Sequence, residues 1–440
     1  MFNYYFRLAL RSLKRNVVLT ALMIAAVGVG IGASMTTLTV FRAMDNDPIP
    51  QKSRQLFAVQ IDNWGPDNKS IVPGDEEHFQ PQISYIDAVG LMNAKAGRRQ
   101  SAMYKTGAAL TPANADVRPF QVQIRAAYTD FFSMFQTPFL VGGPWSADDD
   151  KNHADVAVIT QKLNDKVFGG GNSVGKSINL DNHEFRVAGV LGPWAPTPQF
   201  YDLNNDQFGE GAEIYIPFTR AIDGQMQSWG NNNCNNDVGE PGWEGHLRSE
   251  CVWMQYWVEL PTAADVAAYR TFLSNYAADE QRSGRFHWPA HTHIRNVREW
   301  LVYEHAVRDE VRILVLVSFS FLLVCLLNAM GLMLAKIMGR AGDIGVRRAL
   351  GASRRAIFGQ CLIEAGVVGL AGGLLGLALT ALGLMGLRSL LSEEVSRLTH
   401  FSAADISIAI ILAVLATTLA GLYPTWRAAQ VQPAWQLKAQ

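Results

Sequence analysis

The stretch K336-I-M-G-R-A-G-D-I-G-V-R-R-A-L-G-A-S-R-R-A-I-F-G-Q-C-L-I-E364 lies between two apolar runs in the last third of the chain. It carries two acidic residues, Asp343 and Glu364, and six basic ones: Lys336, Arg340, Arg347, Arg348, Arg354 and Arg355. Short loops rich in Lys and Arg beside membrane spans stay on the cytoplasmic side. Residues 336–364, called the basic segment from here on, are therefore predicted to form a cytoplasmic loop.

The interior of the basic segment predicts two short helices with a bend between them. Apolar Ile344 and Val346 stand among charged residues, which suits an amphipathic helix over 343–349. Gly351 would end this helix, and Ser353 could cap a second helix that enters the membrane. Two interpretations follow: a docking surface for a partner, or a solvated basic loop that only fixes membrane topology.

Four charge-free apolar runs of 21 to 25 residues divide the chain. At about 1.5 Å per residue, each is long enough for the roughly 30 Å hydrocarbon core of a bilayer. The first run is far longer than the apolar core of about 7–15 residues in a cleaved signal peptide, so it is predicted to be a retained span. The predicted spans are residues 17–41, 313–335, 365–387 and 406–426.

The charge distribution indicates one orientation. Residues 1–16, 336–364 and 427–440 together hold 12 Lys or Arg and 2 Asp or Glu, whereas the rest of the chain holds 26 basic and 37 acidic residues. Basic segments are retained in the cytoplasm. The organisation predicted around the four spans is a cytoplasmic amphipathic helix at 1–16, an extracytoplasmic domain with a stalk at 42–312, a short external loop at 388–405 and a cytoplasmic tail at 427–440.

The segment 42–312 alternates short strands and helices. Its patterns predict helices at 84–94 and 263–279, a hairpin around 181–183, and strands at 55–61, 117–125, 214–218, 251–260 and 286–294. Residues 221–250, rich in Gly and Asn, are predicted to be loop. Glu304 and Arg308 stand four residues apart in a helical pattern that is expected to continue unbroken into the second span. The fold class is an α-helical membrane protein with four transmembrane helices and a large α+β extracytoplasmic domain between helices 1 and 2.

Several stretches resemble one family of membrane proteins. The run D343-I-G-V-R-R-A-L-G-A-S-R-R-A-I357, followed by Gln360, L362-I-E364-A and a glycine-rich span, resembles the signature of the FtsX/MacB-type ABC transporter permeases. The run D130-F-F-S-M-F-Q-T-P-F-L-V-G-G143 and the element order up to I214-Y-I-P-F218 resemble the periplasmic core domain of MacB-type permeases. The ending Y423-P-T-W-R427 is also similar to that of the family.

The resemblance implies a function for the basic segment and a set of partners. In the family this segment docks on an ABC ATPase, which binds the ATP, so no cofactor is expected on this chain. A second permease, identical or different, is expected to pair through the first two spans, and a second lobe is expected between about 221 and 285. The residues assigned to ATPase coupling are Asp343, Ile344, Gly345, Val346, Arg347, Arg348, Leu350, Gly351, Ala352 and Arg354.

The expected function is that of a permease subunit rather than an enzyme. ATP hydrolysis by a separate ATPase would move the external domain and so export or extract a substrate by mechanotransmission. The alternative is an FtsX-like signalling complex that regulates a periplasmic cell-wall hydrolase or an envelope-stress response. The length of the external domain favours the transporter. A periplasmic adaptor and membrane lipid are further expected partners, and nucleic acid is not.

One motif suggests nucleotide binding but has the wrong context. G170-G-N-S-V-G175-K176-S177 matches the P-loop pattern letter for letter. A P-loop needs a strand before it and a helix after it. Here a helical pattern over 161–168 precedes the motif and a strand pattern follows it, so a structural turn is predicted.

Two other groups of residues suggest metal binding. Asp202, Asn204, Asp206 and Glu213 have the spacing of a Ca²⁺ loop but lack its central Gly, which favours a polar surface loop. His287, His291 and His293 could share a strand face, although Pro289 interrupts that strand, which favours solvated or packed histidines.

The four cysteines and two intramembrane polar residues complete the candidates. Cys234 and Cys251 are both predicted to be external, where a disulfide is favoured over two free thiols. Cys325 and Cys361 are interpreted as small apolar residues of the spans. Asn328 and Glu364 lie in or beside spans, where either could hydrogen-bond across helices. Glu364 could instead cap its own helix.

Overall fold

The structure is a computed structural model that describes residues 16–64, 80–112, 118–205, 207–209, 211–234, 240–390 and 403–429. The predicted helix at 1–16, most of the loop at 388–405 and most of the tail at 427–440 lie outside these residues. The described chain divides into two compact units. One contains the apolar helices, and the other spans Asn46–Ala306 and is called the α+β domain.

The elements are numbered in chain order. The helices are α1 Val17–Met44, α2 Tyr85–Ala94, α3 Asp130–Met134, α4 Ala147–Lys151, α5 Gln161–Phe168, α6 Phe218–Asp223, α7 Trp243–Arg248, α8 Ala263–Arg282, α9 Val297–Tyr303, α10 Asp309–Met338, α11 Ala341–Ala349, α12 Arg354–Leu390 and α13 Ala403–Ala429. The strands are β1 Leu56–Ile61, β2 Ile83–Ser84, β3 Arg99–Thr111, β4 Phe120–Ala127, β5 Phe139–Gly142, β6 Val156–Thr160, β7 Ser177–Leu180, β8 His183–Leu191, β9 Ile214–Pro217, β10 Val252–Glu259 and β11 Thr292–Asn296.

Among the described residues, four helices are long and apolar enough to cross a membrane: α1, α10, α12 and α13. They contain the four predicted spans and extend beyond them by charged end turns. Glycines let α1 and α12 approach closely. A Cβ added at Gly28 of α1 would lie 2.8 Å from the Leu375 side chain, and one added at Gly376 of α12 would lie 2.7 Å from Ile31. Small residues at such crossings are the usual way in which membrane helices pack.

A single mixed sheet forms the α+β domain. Its strand order is β11-β1-β10-β3-β4-β9-β6-β8-β5, with β2 beside β10, and β7 beside β3 and β8. The β4–β9 and β6–β8 pairs are parallel, and the other pairs are antiparallel. Every residue of β1 and β10 is buried, because apolar clusters cover both faces of the sheet.

The hairpin between β7 and β8 has the predicted position. Its turn consists of Asp181 and Asn182, which both have positive φ. This is the two-residue turn that matches the twist of a hairpin, and Asp and Asn tolerate its left-handed conformation.

The prediction of a second lobe between about 221 and 285 is wrong. Residues 252–259 form β10, which lies in the middle of the sheet between β1 and β3. The strands β9, β6, β8 and β5 form one end of the sheet. They come from earlier residues, between Phe139 and Pro217, and not from 221–285. The continuous apolar run of β10 indicated a buried strand, but its neighbours in the sheet are distant in sequence.

The prediction of an unbroken stalk helix is also wrong. α9 ends at Tyr303 and α10 begins at Asp309, and between them His305 has a positive φ of 48°. Ala306 is buried in a core cluster of the α+β domain, which draws the chain out of the helical path. Glu304 directly follows α9 and Arg308 directly precedes α10, so the two residues do not share a helix as the predicted pair requires. Arg308 instead contacts Glu310 at 3.3 Å.

Two local predictions in the domain also need correction. The predicted loop 221–250 contains the end of α6 and the whole of α7. The last strand begins at Thr292 rather than at 286, because Pro289 cannot donate a ladder hydrogen bond.

Candidate functional site

The basic segment folds as predicted into two helices with a bend. Gly351 adopts a positive φ of 97° immediately after α11, a conformation that glycine adopts without strain. The Ser353 hydroxyl oxygen then accepts a hydrogen bond from the Ala356 amide at 3.2 Å, which caps the start of α12.

The apolar residues of α11 and of the bend that follows it divide between two faces. Ile344 and Ala352 pack against a cluster inside the helix bundle, and Gly345 is buried. Val346 and Leu350 point the other way, with 57% and 83% of their surface exposed. Among the coupling residues, Ile344, Val346 and Leu350 are the large apolar ones that could anchor a partner. Only Val346 and Leu350 are available, because Ile344 packs against its own chain.

The charged residues that flank this exposed apolar pair in sequence are exposed or half-buried. Arg347 is exposed and donates a hydrogen bond to the Gln360 side-chain oxygen at 3.3 Å. Arg348 is half-buried, whereas Asp343 and Arg354 are exposed. The outer face of α11 is thus an apolar tip with a mainly basic rim.

Glu364 takes part in a buried ionic cluster, consisting of Thr20, Lys336, Arg340 and Glu364. The Lys336 ammonium lies 2.5 Å from a Glu364 carboxylate oxygen, and Arg340 lies 3.8 Å from the same oxygen. The Lys336 ammonium also donates to the Thr20 hydroxyl at 3.3 Å. Glu364 was predicted either to contact another helix or to cap its own helix. In the structure it contacts another helix, through Lys336 of α10. The burial of Lys336 was missed, because its place in a basic segment suggested a solvated side chain.

The P-loop-like motif has its flanking elements in the wrong order for a P-loop. It follows helix α5 and leads into strand β7. The Gly175 amide donates to the Val187 carbonyl at 2.8 Å, and the Lys176 ammonium lies 5.1 Å from the Phe168 ring centroid. The motif therefore joins a helix to a strand and has no helix N-terminus to hold a phosphate.

The isolated chain is expected not to bind ATP. The measurement is binding of a fluorescent ATP analogue to the purified chain and to its Lys176→Ala variant. Saturable binding that disappears in the variant would contradict the interpretation of this motif as a structural turn.

The interpretation of Asp202 as part of a polar surface loop is wrong. Its side chain is 1% exposed and forms an ion pair with the buried guanidinium of Arg125. The Gln255 amide also donates to Asp202 at 2.8 Å. The carboxylate is therefore engaged by protein donors rather than poised for Ca²⁺. Asp206 lies outside the described residues.

The three candidate histidines near β11, all of them in the described part of the chain, do not come together as a metal centre. His287 and His291 are exposed, and His293 pairs with Gln60 in the sheet. Among the described residues, the one group with metal-ligating atoms close together is Cys234, His246 and Cys251. The sulfurs of Cys234 and Cys251 are joined as a disulfide, which removes the thiolates that a metal would need.

The disulfide is expected in protein isolated from its native membrane. It links Cys234, within an Asn-rich segment, to Cys251, directly before β10. Closing a loop of this length stabilises a fold by about 3 kcal/mol in the loop-entropy view. Peptide mass spectrometry without reduction should find the two cysteines linked. Two free thiols in natively isolated protein would contradict this prediction.

A cleft of 490 Å³ in the α+β domain is lined by basic and acidic side chains, including Lys95, Arg98 and Asp150. Asp150 accepts hydrogen bonds from the Thr129 amide at 2.9 Å and the Trp145 indole at 2.8 Å. Burial nevertheless raises the pKa of Asp150 to about 6, against the effect of both donors. The Asp150 carboxyl in the folded state therefore stays protonated up to about pH 6, well above the pH at which an ordinary aspartate ionises.

The raised pKa of Asp150 predicts a pH-dependent stability. Because the folded pKa lies above the unfolded one, the stabilisation is complete below about pH 4 and is lost as pH rises through about 6. Between pH 4 and 7 the free energy of unfolding of the wild type should therefore fall by about 2–3 kcal/mol relative to that of Asp150→Asn. The thermal midpoint of the wild type should fall with it. Tryptophan fluorescence of the full chain measures this, since nine of eleven tryptophans lie in residues 42–312. Parallel pH profiles would contradict it.

The fold and the site define a class of protein: a membrane permease with four spans, a large α+β domain between the first and second, and a basic helical segment between the second and third. Residues 20–274 match the family model described as the MacB-like periplasmic core domain, and residues 315–433 match that of the FtsX-like permease C-terminal domain. The chain belongs to the FtsX/MacB-type family of ABC transporter permeases.

The curated relatives are longer than this chain. It is 25% identical over 432 residues to the "Macrolide export ATP-binding/permease protein MacB" of Azoarcus sp. (strain BH72), covering 97% of this chain and 58% of that protein. It is 29% identical over 314 residues to the "Pyoverdine export ATP-binding/permease protein PvdT" of Pseudomonas aeruginosa, covering 71% and 41%.

A crystal structure of the periplasmic region of MacB from Actinobacillus actinomycetemcomitans aligns with 57% of this chain and 92% of that region, at 14% identity and a TM-score of 0.36. The family membership rests on the two sequence models rather than on this structural match.

Proposed function

We propose that this chain is the permease subunit of an ABC transporter, driven by an ATPase that docks on the basic segment. ATP binding and hydrolysis by the partner would move the α+β domain and so export or extract a substrate by mechanotransmission. The observation that carries the proposal is the exposed apolar pair Val346 and Leu350 at the tip of α11.

The tip has the composition of a small docking surface. An apolar anchor surrounded by polar groups is the usual arrangement at the centre of a protein interface. Leu350 supplies the anchor, and Arg347 lies at the rim, where a charge sets orientation and association rate more than affinity. The inner face, through Ile344, fastens the same helix to the bundle, so a partner's movement would reach the membrane helices.

The names of the relatives support export as the direction of transport, since they describe macrolide export and pyoverdine export. They also describe ATP-binding/permease proteins, which pair both activities in one transporter. For this chain we assign ATP binding to a partner ATPase, in accordance with the turn at Lys176, which follows a helix and leads into a strand, the reverse of a P-loop.

We place the protein in the cytoplasmic membrane with the basic segment and both termini inside and the α+β domain in the periplasm. The excess of Lys and Arg in the basic segment supports this orientation. The disulfide between Cys234 and Cys251 suits an oxidising compartment.

We also propose pairing with a second permease, identical or different, through the first two spans. The polar side chain of Asn328 lies exposed on α10, in the middle of an apolar helix. A polar group facing lipid is unfavourable, and a neighbouring helix would provide a hydrogen-bond partner. A periplasmic adaptor is a further proposed partner.

The test is purification of the tagged full chain from native membranes in mild detergent. The proposal expects an ABC ATPase to co-purify, and the complex to hydrolyse ATP faster than the ATPase alone. A chain that purifies without an ATPase, from membranes that contain one, would overturn the proposal. Co-purification of a cell-wall hydrolase would instead indicate the FtsX-like signalling complex.

A further inference from the structure

We infer that Glu364 is the positioning residue that connects α11, the proposed ATPase-docking helix, to the membrane helices. Its carboxylate contacts both the last turn of α10 and Arg340, the residue directly before α11. This inference rests on the proposed function and specifies how movement would pass from the docking helix into the spans.

The ionic cluster is compact and largely shielded by protein. One carboxylate oxygen of Glu364 lies 2.5 Å from the Lys336 ammonium and 3.8 Å from the Arg340 guanidinium. The side chains of Lys336 and Glu364 are 2% and 10% exposed, and that of Arg340 is 18% exposed. Thr20 of α1 accepts a further hydrogen bond from Lys336.

The cluster joins the elements that enter and leave the docking helix. Lys336 belongs to the last turn of α10, Arg340 directly precedes α11, and Glu364 lies in α12. Thr20 adds α1, which itself packs closely against α12 at Gly28. A displacement of α11 would therefore be transmitted through this cluster to three membrane helices, α1, α10 and α12.

The need for such a connection follows from the glycines on both sides of α11. Gly339 separates α10 from α11, and Gly351 separates α11 from α12. Glycine resists changes of backbone angle less than any other residue, so each position would absorb a push on α11 by bending. The contacts of Lys336 and Arg340 with Glu364 bridge Gly339 and oppose that bending.

A purely stabilising role accounts less well for this cluster. Buried ion pairs are often replaceable by apolar side chains without loss of stability, because desolvation offsets much of their attraction. An apolar pair at 336 and 364 would pack α10 against α12, but it would remove the contact between Arg340 and Glu364. The two roles therefore predict different behaviour for a charge-free double variant.

The experiment uses the full chain with its ATPase in lipid nanodiscs. The variants are Arg340→Gln, Glu364→Gln and the double variant Lys336→Met/Glu364→Met. The matched control is Arg312→Gln, which removes the exposed Arg312–Asp309 pair at the other end of α10. Three quantities are measured: the ATPase retained, the thermal midpoint, and the change in hydrogen exchange of peptides from residues 46–306 on adding a non-hydrolysable ATP analogue.

The expected result is that all variants retain the ATPase, while Arg340→Gln, Glu364→Gln and the double variant reduce the nucleotide-dependent exchange change about tenfold. The double variant should do so with a thermal midpoint at or above that of the wild type, and Arg312→Gln should respond normally. A double variant or Arg340→Gln that responds like the wild type would overturn the inference. Variants that lose the ATPase would also overturn it, in favour of a docking role. A wild type without bound ATPase would instead reject the proposed function itself.

Discussion

Replacing Arg125 by methionine is expected to lower the free energy of unfolding of the α+β domain by about 3–5 kcal/mol, the usual effect of removing one partner from a buried ion pair. Arg125 lies in β4 and is 2% exposed, and its partner Asp202 is 1% exposed. Burial alone would lower the pKa of Arg125, but the charge and hydrogen bond of Asp202, together with Tyr201 and Tyr215, outweigh that effect and the pKa is raised. The variant would leave the Asp202 carboxylate buried without a cation.

The surroundings of the pair show what would be lost with it. Gln255 of β10 donates to Asp202 at 2.8 Å and accepts from Arg125 at 3.3 Å. The pair therefore joins β4 and β10, which lie on either side of β3, to the turn at Phe200–Asp202. Phe200 and Tyr201 of this turn belong to an apolar cluster of the domain. Urea unfolding of the full chain, followed by tryptophan fluorescence, measures the change.

Two comparisons make this prediction specific. The exposed pair Arg282–Asp279 offers a matched control, and Arg282→Met should change stability by less than about 0.5 kcal/mol. The double variant Arg125→Met/Asp202→Leu should recover much of the loss, because it removes both charges together. A change below about 1 kcal/mol for Arg125→Met would contradict the assignment of the pair as a structural centre of the domain.

Replacing Leu350 by aspartate is expected to separate the permease from its ATPase. Leu350 is 83% exposed and has few contacts with its own chain, so the variant should insert and fold normally. In the complex the new carboxylate would be buried without a partner, at a cost of several kcal/mol and a loss of at least about a hundredfold in affinity. Co-purification of the ATPase and the ATP hydrolysis rate of the complex measure the effect.

Three further variants distinguish an apolar anchor at position 350 from a purely electrostatic contact and from a general effect of added charge. Leu350→Met keeps the apolar surface and should retain the ATPase. Arg347→Ala should weaken binding less and mainly change its salt dependence. Leu140→Asp introduces the same charge at an exposed leucine of β5 and should leave the complex intact. Normal binding and hydrolysis by Leu350→Asp would reduce the basic segment to a topology signal.

Local patterns in the sequence were sufficient for the features that depend on neighbouring residues. The apolar runs indicated the membrane helices, Gly351 and Ser353 indicated the bend after α11, and Asp181 and Asn182 indicated the hairpin turn. The α+β class followed from the alternation of elements, and the disulfide from the shared side of Cys234 and Cys251. For the membrane helices, the bend and the hairpin turn, the residues that determine the structure are adjacent in sequence or lie within one element.

The missed features depend on contacts that local patterns do not contain. Arg125 and Asp202 are 77 residues apart, and the loop pattern around Asp202 suggested a solvated carboxylate. The position of β10 between β1 and β3 follows from pairing across most of the domain. Ile344 had the correct amphipathic spacing, but only the packed bundle decides which of the apolar residues of α11 turn inward.

Docking of an ABC ATPase on the tip of α11 can be tested by site-specific photo-crosslinking in native membranes. A photoreactive phenylalanine analogue replaces Leu350 in one sample and Leu140 in a second. We expect a covalent product at position 350 that contains an ABC ATPase and is absent at position 140. The absence of such a product at position 350, in membranes where the ATPase is present, would contradict docking at this tip.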